Sequence, residues 1–254
     1  MRNARSAVLF IIVAALMMLG SVEARAASLE ELVAAVVRIK TTINPDGQTV
    51  QSLGREREGS GVVIDEDGLV LTIGYLMVEA HAAEITTNTG RTVPATIVGY
   101  DHETGFGVLR AIEPLKLKPL AFGHAADAKE RDPVLIASYG GPAMVAPAYV
   151  VAKREFAGNW EYLLEEAIFT TPPHPAWSGA ALISREGKLL GIGSLIVGVA
   201  GETPRSLADF YRKIWATGAA GATVPLDVEQ GGEKRRIGVK SINRLDHLKL
   251  KSTL

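Results

Sequence analysis

Between Gly61 and Ile136 the chain is a succession of short apolar runs, separated by Gly, Asp, Asn and Pro. This texture constrains the fold more than any other feature. An amphipathic helix needs a 3.6-residue repeat over roughly ten residues or more, whereas a strand needs only about four to eight. Gly61-Val62-Val63-Ile64 and Leu69-Val70-Leu71-Thr72 flank Asp65-Glu66-Asp67-Gly68, the pattern of a hairpin. Further strands are expected at residues 84–87, 92–100, 106–111, 133–137, 147–153, 167–170, 181–184 and 189–197. Many short strands with close turns predict an all-β barrel or sandwich.

The flanks differ. Arg2 and Arg5 precede an unbroken apolar run of 14 residues from Ala7 to Gly20, too short for a comfortable membrane span. With Ala24-Arg25-Ala26 after it, residues 1–26 read as an export signal cleaved before Ala27, which places the mature protein in the periplasm or outside the cell. No later stretch reaches membrane length, so no stable span is expected once the signal is removed. Ser28 with Glu31 is a capping box, opening a short helix that runs into the strand-like Val36-Val37-Arg38-Ile39. Residues 44–58, polar and containing Pro45 and Gly47, read as a loop. Beyond Gly201, Leu207, Phe210, Tyr211, Ile214 and Trp215 recur at helical spacing behind the N-cap candidate Ser206. Residues 224–229 and 235–242 then suggest a hairpin around Gly231-Gly232.

Composition removes several classes of function. The net charge of -1 leaves no basic footprint for nucleic acid. The 254 residues include no cysteine, which excludes disulfides, cysteine–metal sites and thiol nucleophiles. The five histidines lack metal-ligand spacing, so neither metal nor cofactor is expected.

Several ordered segments carry a resemblance. Glu58-Gly59-Ser60-Gly61-Val62-Val63-Ile64-Asp65-Glu66-Asp67-Gly68 opens the series. Leu71-Thr72-Ile73-Gly74-Tyr75-Leu76-Met77-Val78 follows it, then Gly90-Arg91, Pro94-Ala95 and Val98-Gly99-Tyr100-Asp101. Asp101-His102-Glu103-Thr104-Gly105-Phe106-Gly107-Val108-Leu109 continues it, and Pro175-Ala176-Trp177-Ser178-Gly179-Ala180-Ala181-Leu182 closes it. Over residues 33–197 this order resembles the HtrA/Do branch of trypsin-type serine proteases. The resemblance implies a double six-stranded β-barrel. It places Ser178 at the nucleophile position, Tyr75 at the general-base position, Gly105 at the orienting-acid position and Ala176 at an oxyanion-donor position. A serine hydroxyl reacts only when a base takes its proton and a third group holds that base. A phenol is neutral at working pH, and glycine has no side chain to orient anything. The resemblance therefore implies a vestigial nucleophile and a degenerate, pseudoprotease member of the family. By the same resemblance, Thr171-Pro172-Pro173 stands where the family has a flexible wall of the specificity pocket.

Three other histidines are candidates for a replacement base: His81, His102 and, four residues before Ser178, His174. Asp101 or Glu103 would orient such a base. Residues 199–210 resemble the second half of a PDZ domain whose peptide-pairing strand is missing ahead of it. The expected division is a signal at 1–26, a protease-fold domain at 27–197 and a partial PDZ-like α+β segment at 198–254. Three functions stay open at this point. The first is a binding or regulatory pseudoprotease acting on unfolded or partner proteins of the cell envelope. The others are an endopeptidase using Ser178 with a non-standard base, and a truncated non-functional relative. The family also implies trimers, for which Leu29 to Ile39 is the candidate segment.

Overall fold

Valine, isoleucine and threonine crowd the segments that become strands, and their alternation decides which face each strand buries. The computed structural model describes residues 28–101, 103–157, 163–193, 212, 214–230 and 233–243. It begins with helix α1 (Leu29–Ala34), closed at its start by the expected capping box: Ser28 accepts the Glu31 N–H, and the Glu31 carboxylate accepts the Ser28 N–H. Six strands follow: β1 (Val36–Ile43), β2 (Glu56–Val63), β3 (Leu69–Ile73), β4 (Ala80–Thr86), β5 (Thr92–Tyr100) and β6 (Phe106–Ala111). They close into a barrel in the order β1-β2-β3-β6-β5-β4. Closure leaves this barrel without an unpaired edge.

Its interior holds Val36, Ile39, Val62, Ile85 and Leu109, each fully buried. Complete burial of such a side chain contributes roughly 1.5–3 kcal/mol. Gly61 is required by this packing, because a Cβ there would lie 2.4 Å from Ile39 Cδ1. Within Leu29–Ile39, the candidate assembly segment, Val33, Val36, Val37 and Ile39 are buried in this core, while Leu29 is exposed.

The polar stretch 44–58 is not one loop. It holds a single helical turn, α2 (Val50–Leu53), and the start of β2. The outward residues Glu56 and Glu58 lie near Lys40 and Arg38 of β1, at 3.2 and 3.7 Å, while Arg57 between them turns inward. A strand with one wet face carries charges at every second position, which composition alone reads as loop. His81, a replacement-base candidate, is in β4, which follows a turn of only three residues at Gly74–Leu76.

The second sheet comprises β7 (Pro133–Ala137), β8 (Val145–Phe156), β9 (Leu164–Thr171), β10 (Ala181–Ser184) and β11 (Leu189–Ile192). Its order is β11-β10-β7-β8-β9, so among the described residues β9 and β11 are end strands of a curled, five-stranded half-barrel. Ala137, Ala181, Ile183 and Leu189 join the core of the first barrel. Val134, Ile136, Ala148, Val150, Ala180 and Leu182 form a smaller second core. That core borders a cavity of about 520 Å³ lined by Leu164 and Phe169 of β9, Leu190 and Ile192 of β11, Trp177 and His174.

The hairpin expected near the end is present as β12 (Thr223–Gln230) and β13 (Glu233–Lys240), which among the described residues pair only with each other. The signal segment and most of the helix expected from Ser206 lie outside the described residues. Arg212, Ile214 and Trp215, at the end of that helix, are helical.

Candidate functional site

Ser178 lies in the segment between β9 and β10, against the middle of β2. Its carbonyl accepts the Ser60 N–H at 2.8 Å. Two glycines make this approach feasible. A Cβ on Gly59 would lie 2.5 Å from Ser178 Oγ, and one on Gly179 would lie 1.9 Å from the Ser60 carbonyl oxygen. Gly179 also has φ +70, a backbone region that disfavours other residues.

Tyr75 sits on the single turn between β3 and β4. Its hydroxyl is 2.6 Å from Ser178 Oγ. The ring leans on Trp177, with centroids 6.1 Å apart. Burial raises the phenol pKa above its ordinary value of 10, and the Ser178 hydrogen bond and the Arg57 charge oppose that rise without cancelling it. At neutral pH the phenol therefore keeps its proton. Phenol and alcohol share one hydrogen bond, and neither has the basicity to take the other's proton.

A buried polar network fixes this turn from behind. Arg57 donates to the Tyr75 carbonyl at 2.5 Å, to the Val78 carbonyl at 3.0 Å and to Thr49 Oγ1 at 2.6 Å. Glu79, at φ +62, accepts from the Gln48 and Thr49 N–H groups and from Thr49 Oγ1 at 3.0, 2.8 and 2.7 Å. Burial pulls the Arg57 pKa down to about 10, with the charges of Glu79 and Tyr75 acting the other way. Sequence reading passed over Arg57, Thr49 and Glu79. Their one legible sign is Arg57 at an inward position of a strand, and that requires knowing the register.

Gly105 contributes backbone alone. Its N–H donates to the Asp101 carbonyl at 2.9 Å, and its carbonyl accepts the Gly74 N–H at 2.6 Å. Gly74 is equally constrained, since a Cβ would lie 1.8 Å from the Tyr100 ring. Asp101 binds within its own turn, accepting from the Glu103 N–H and the Thr104 hydroxyl. Glu103 is exposed, as is His81 on β4, and His102 lies outside the described residues.

His174 is only 8% exposed, and its Nδ1 accepts the Ala176 N–H at 3.1 Å. Ser138 Oγ donates to the Ala176 carbonyl at 2.5 Å and lies 3.3 Å from the same Nδ1. The structure thus brings Tyr75 to Ser178 and engages His174 with Ala176. No group of three or more His, Cys, Asp or Glu able to hold a metal occurs among the described residues.

Known proteins share this frame. The trypsin-like peptidase domain matches residues 59–192, just over half of the chain. Serine protease PepD of Mycobacterium tuberculosis is 29% identical over 189 residues, covering 66% of this chain and 39% of PepD. The periplasmic pH-dependent serine endoprotease DegQ of Escherichia coli is 29% identical over 146 residues, covering 56% of this chain and 32% of DegQ. Among solved structures, the HtrA-type protease AlgW with a tripeptide superposes with a TM-score of 0.52 at 26% identity, covering 65% of this chain and 54% of that one. The chain spans well under half the length of these two curated relatives. With a closed six-stranded barrel, a curled partner sheet and a family match running from β2 to the end of β11, the chain belongs to the trypsin-like peptidases of the HtrA type.

Proposed function

We propose that this is an exported HtrA-type pseudoprotease that binds or regulates other proteins of the bacterial envelope and does not cleave them. One observation carries the reading: the position expected to hold the base presents a neutral phenol 2.6 Å from the Ser178 hydroxyl. A catalytic base must gain a proton in the transition state, and a phenol held neutral by burial cannot. Gly105 adds no group to orient a base, and removing triad members leaves only weak residual catalysis in serine proteases of this chemistry. The envelope location rests on the expected signal at residues 1–26 and on relatives, such as DegQ, that are named periplasmic. In this reading residues 27–197 form the protease-fold domain and 198–254 a partial PDZ-like segment, with trimeric assembly as the family expectation.

The test is exposure of the purified mature protein to a fluorophosphonate probe. No labelling of Ser178 is expected under conditions that label an active relative completely. Labelling that disappears in Ser178→Ala overturns the proposal in favour of an active endopeptidase. A pull-down from envelope extract then asks for a specific partner. Its absence favours the truncated, non-functional alternative.

A further inference from the structure

His174 has no role in the Tyr75–Ser178 contact, yet it is buried and tightly placed. Local sequence explains the placement. In Pro172-Pro173-His174-Pro175 three of four residues lack an N–H, and each proline fixes its own φ. A residue before proline is held extended, so the chain conformation at His174 is restricted on both sides. Ala176 supplies the first N–H after this run, and the His174 ring folds forward to accept it at 3.1 Å. The geometry is that of an Asx turn, a side-chain acceptor capturing the N–H two residues on, with imidazole in place of amide. Acceptance at Nδ1 requires that nitrogen to be unprotonated, which puts the ring hydrogen on Nε2. Ser138, at the end of β7, holds the next peptide group through the Ala176 carbonyl at 2.5 Å. Both peptide groups around Ala176 are thereby tied inside the protein.

Stabilising an oxyanion requires preorganised N–H donors aimed at the developing charge. Ala176 occupies the position where the family resemblance expects one of them. We infer that His174 and Ser138 form a latch that engages the Ala176 N–H internally and withholds it from any carbonyl oxygen presented to Ser178. This rests on the reading of Ser178 as an inert nucleophile and deepens it: the site is disarmed at the oxyanion position as well as at the base position. His174 is accordingly a positioning residue of the disarmed state.

The latch can be read at a single amide in the full mature chain. In backbone hydrogen exchange followed by NMR, the Ala176 amide is expected to be protected in the unaltered protein and to exchange about tenfold faster in His174→Ala, the change set by one net hydrogen bond. His174→Asn, which keeps a side-chain acceptor for the same turn, is expected to restore the protection. The Gly179 and Ala180 amides, bonded to Gly193 and Trp177, are expected to keep their rates in both variants. The imidazole nitrogen shifts are expected to report an unprotonated Nδ1. Three results overturn the latch: equal Ala176 exchange in the unaltered and His174→Ala proteins, acceleration shared with Gly179 and Ala180, or a protonated Nδ1. Fluorophosphonate labelling of Ser178 in the unaltered protein overturns the inert reading instead, whatever the Ala176 amide does, so the two failures are distinguishable.

Discussion

Replacing Arg57 by methionine tests whether the buried network holds the Tyr75 turn. Arg57 is 4% exposed, makes three hydrogen bonds, and its Nε is buried without a partner among the described residues. Its lowered pKa means that burial disfavours the cation relative to water, with the charges of Glu79 and Tyr75 opposing that effect. On that ground alone methionine would be stabilising. The opposing effect is larger. Removing one member of a buried charged set leaves the other uncompensated and typically costs about 3–5 kcal/mol net. Here Glu79 keeps its bonds to Gln48 and Thr49, which points to the lower end, about 3 kcal/mol. For a domain of this size that lowers the midpoint temperature by about 6–12 °C. Urea unfolding followed by circular dichroism measures the free energy, with an unchanged m-value confirming that the same surface is exposed. The double variant Arg57→Met with Glu79→Gln is expected to recover at least about 1 kcal/mol relative to the sum of the single changes, since both sites belong to one hydrogen-bond network through Thr49. An Arg57→Met loss below about 1 kcal/mol, or strict additivity in the double variant, would refute the idea of a coupled clamp.

Other expectations follow from the same geometry. Tyr75 has its folded pKa raised, so its contribution to stability is complete below about pH 10 and declines as pH rises through the folded value; alkaline unfolding should begin later in Tyr75→Phe than in the unaltered chain, and a Tyr75 absorbance titration at or below the free-tyrosine range would contradict the burial argument. Gly59→Ala puts a methyl group 2.5 Å from Ser178 Oγ and 2.8 Å from Leu76 Cδ1, and a stability loss of about 1–3 kcal/mol in urea unfolding is expected. Gly179→Ala meets backbone oxygen and a positive φ together, so its loss should exceed that of Gly59→Ala in the same assay; a smaller loss would mean that the Ser60–Ser178 approach is looser than described. Leu109→Ala, at the fully buried centre of the closed barrel, should cost about 2–5 kcal/mol, and Leu190→Ala, beside the cavity, distinctly less.

The barrel strands were legible because their signal is local. The expected bounds of β5, β6, β7 and β10 agree with those observed, and the hairpin of β2 and β3 forms around the predicted turn. Alternating apolar residues and turn chemistry act within a few neighbours, which a linear reading can follow. The charged start of β2 escaped it, since Glu56, Arg57 and Glu58 make sense only beside Lys40 and Arg38.

From the residues it followed that the chain has a β-rich shell and no thiol chemistry, properties intrinsic to side chains and short spacings, while the family resemblance placed a tyrosine and a glycine where a proton relay is expected. That the Tyr75 hydroxyl meets Ser178, that Arg57 and Glu79 brace its turn through Thr49, and that His174 faces Ala176 rather than the serine were decided only by the fold. A hydrogen bond between residues 103 positions apart depends on strand register and on where three glycines let backbones close. Such distances exist only after the barrels have packed, because buried polar groups take whatever partners the packing brings within reach.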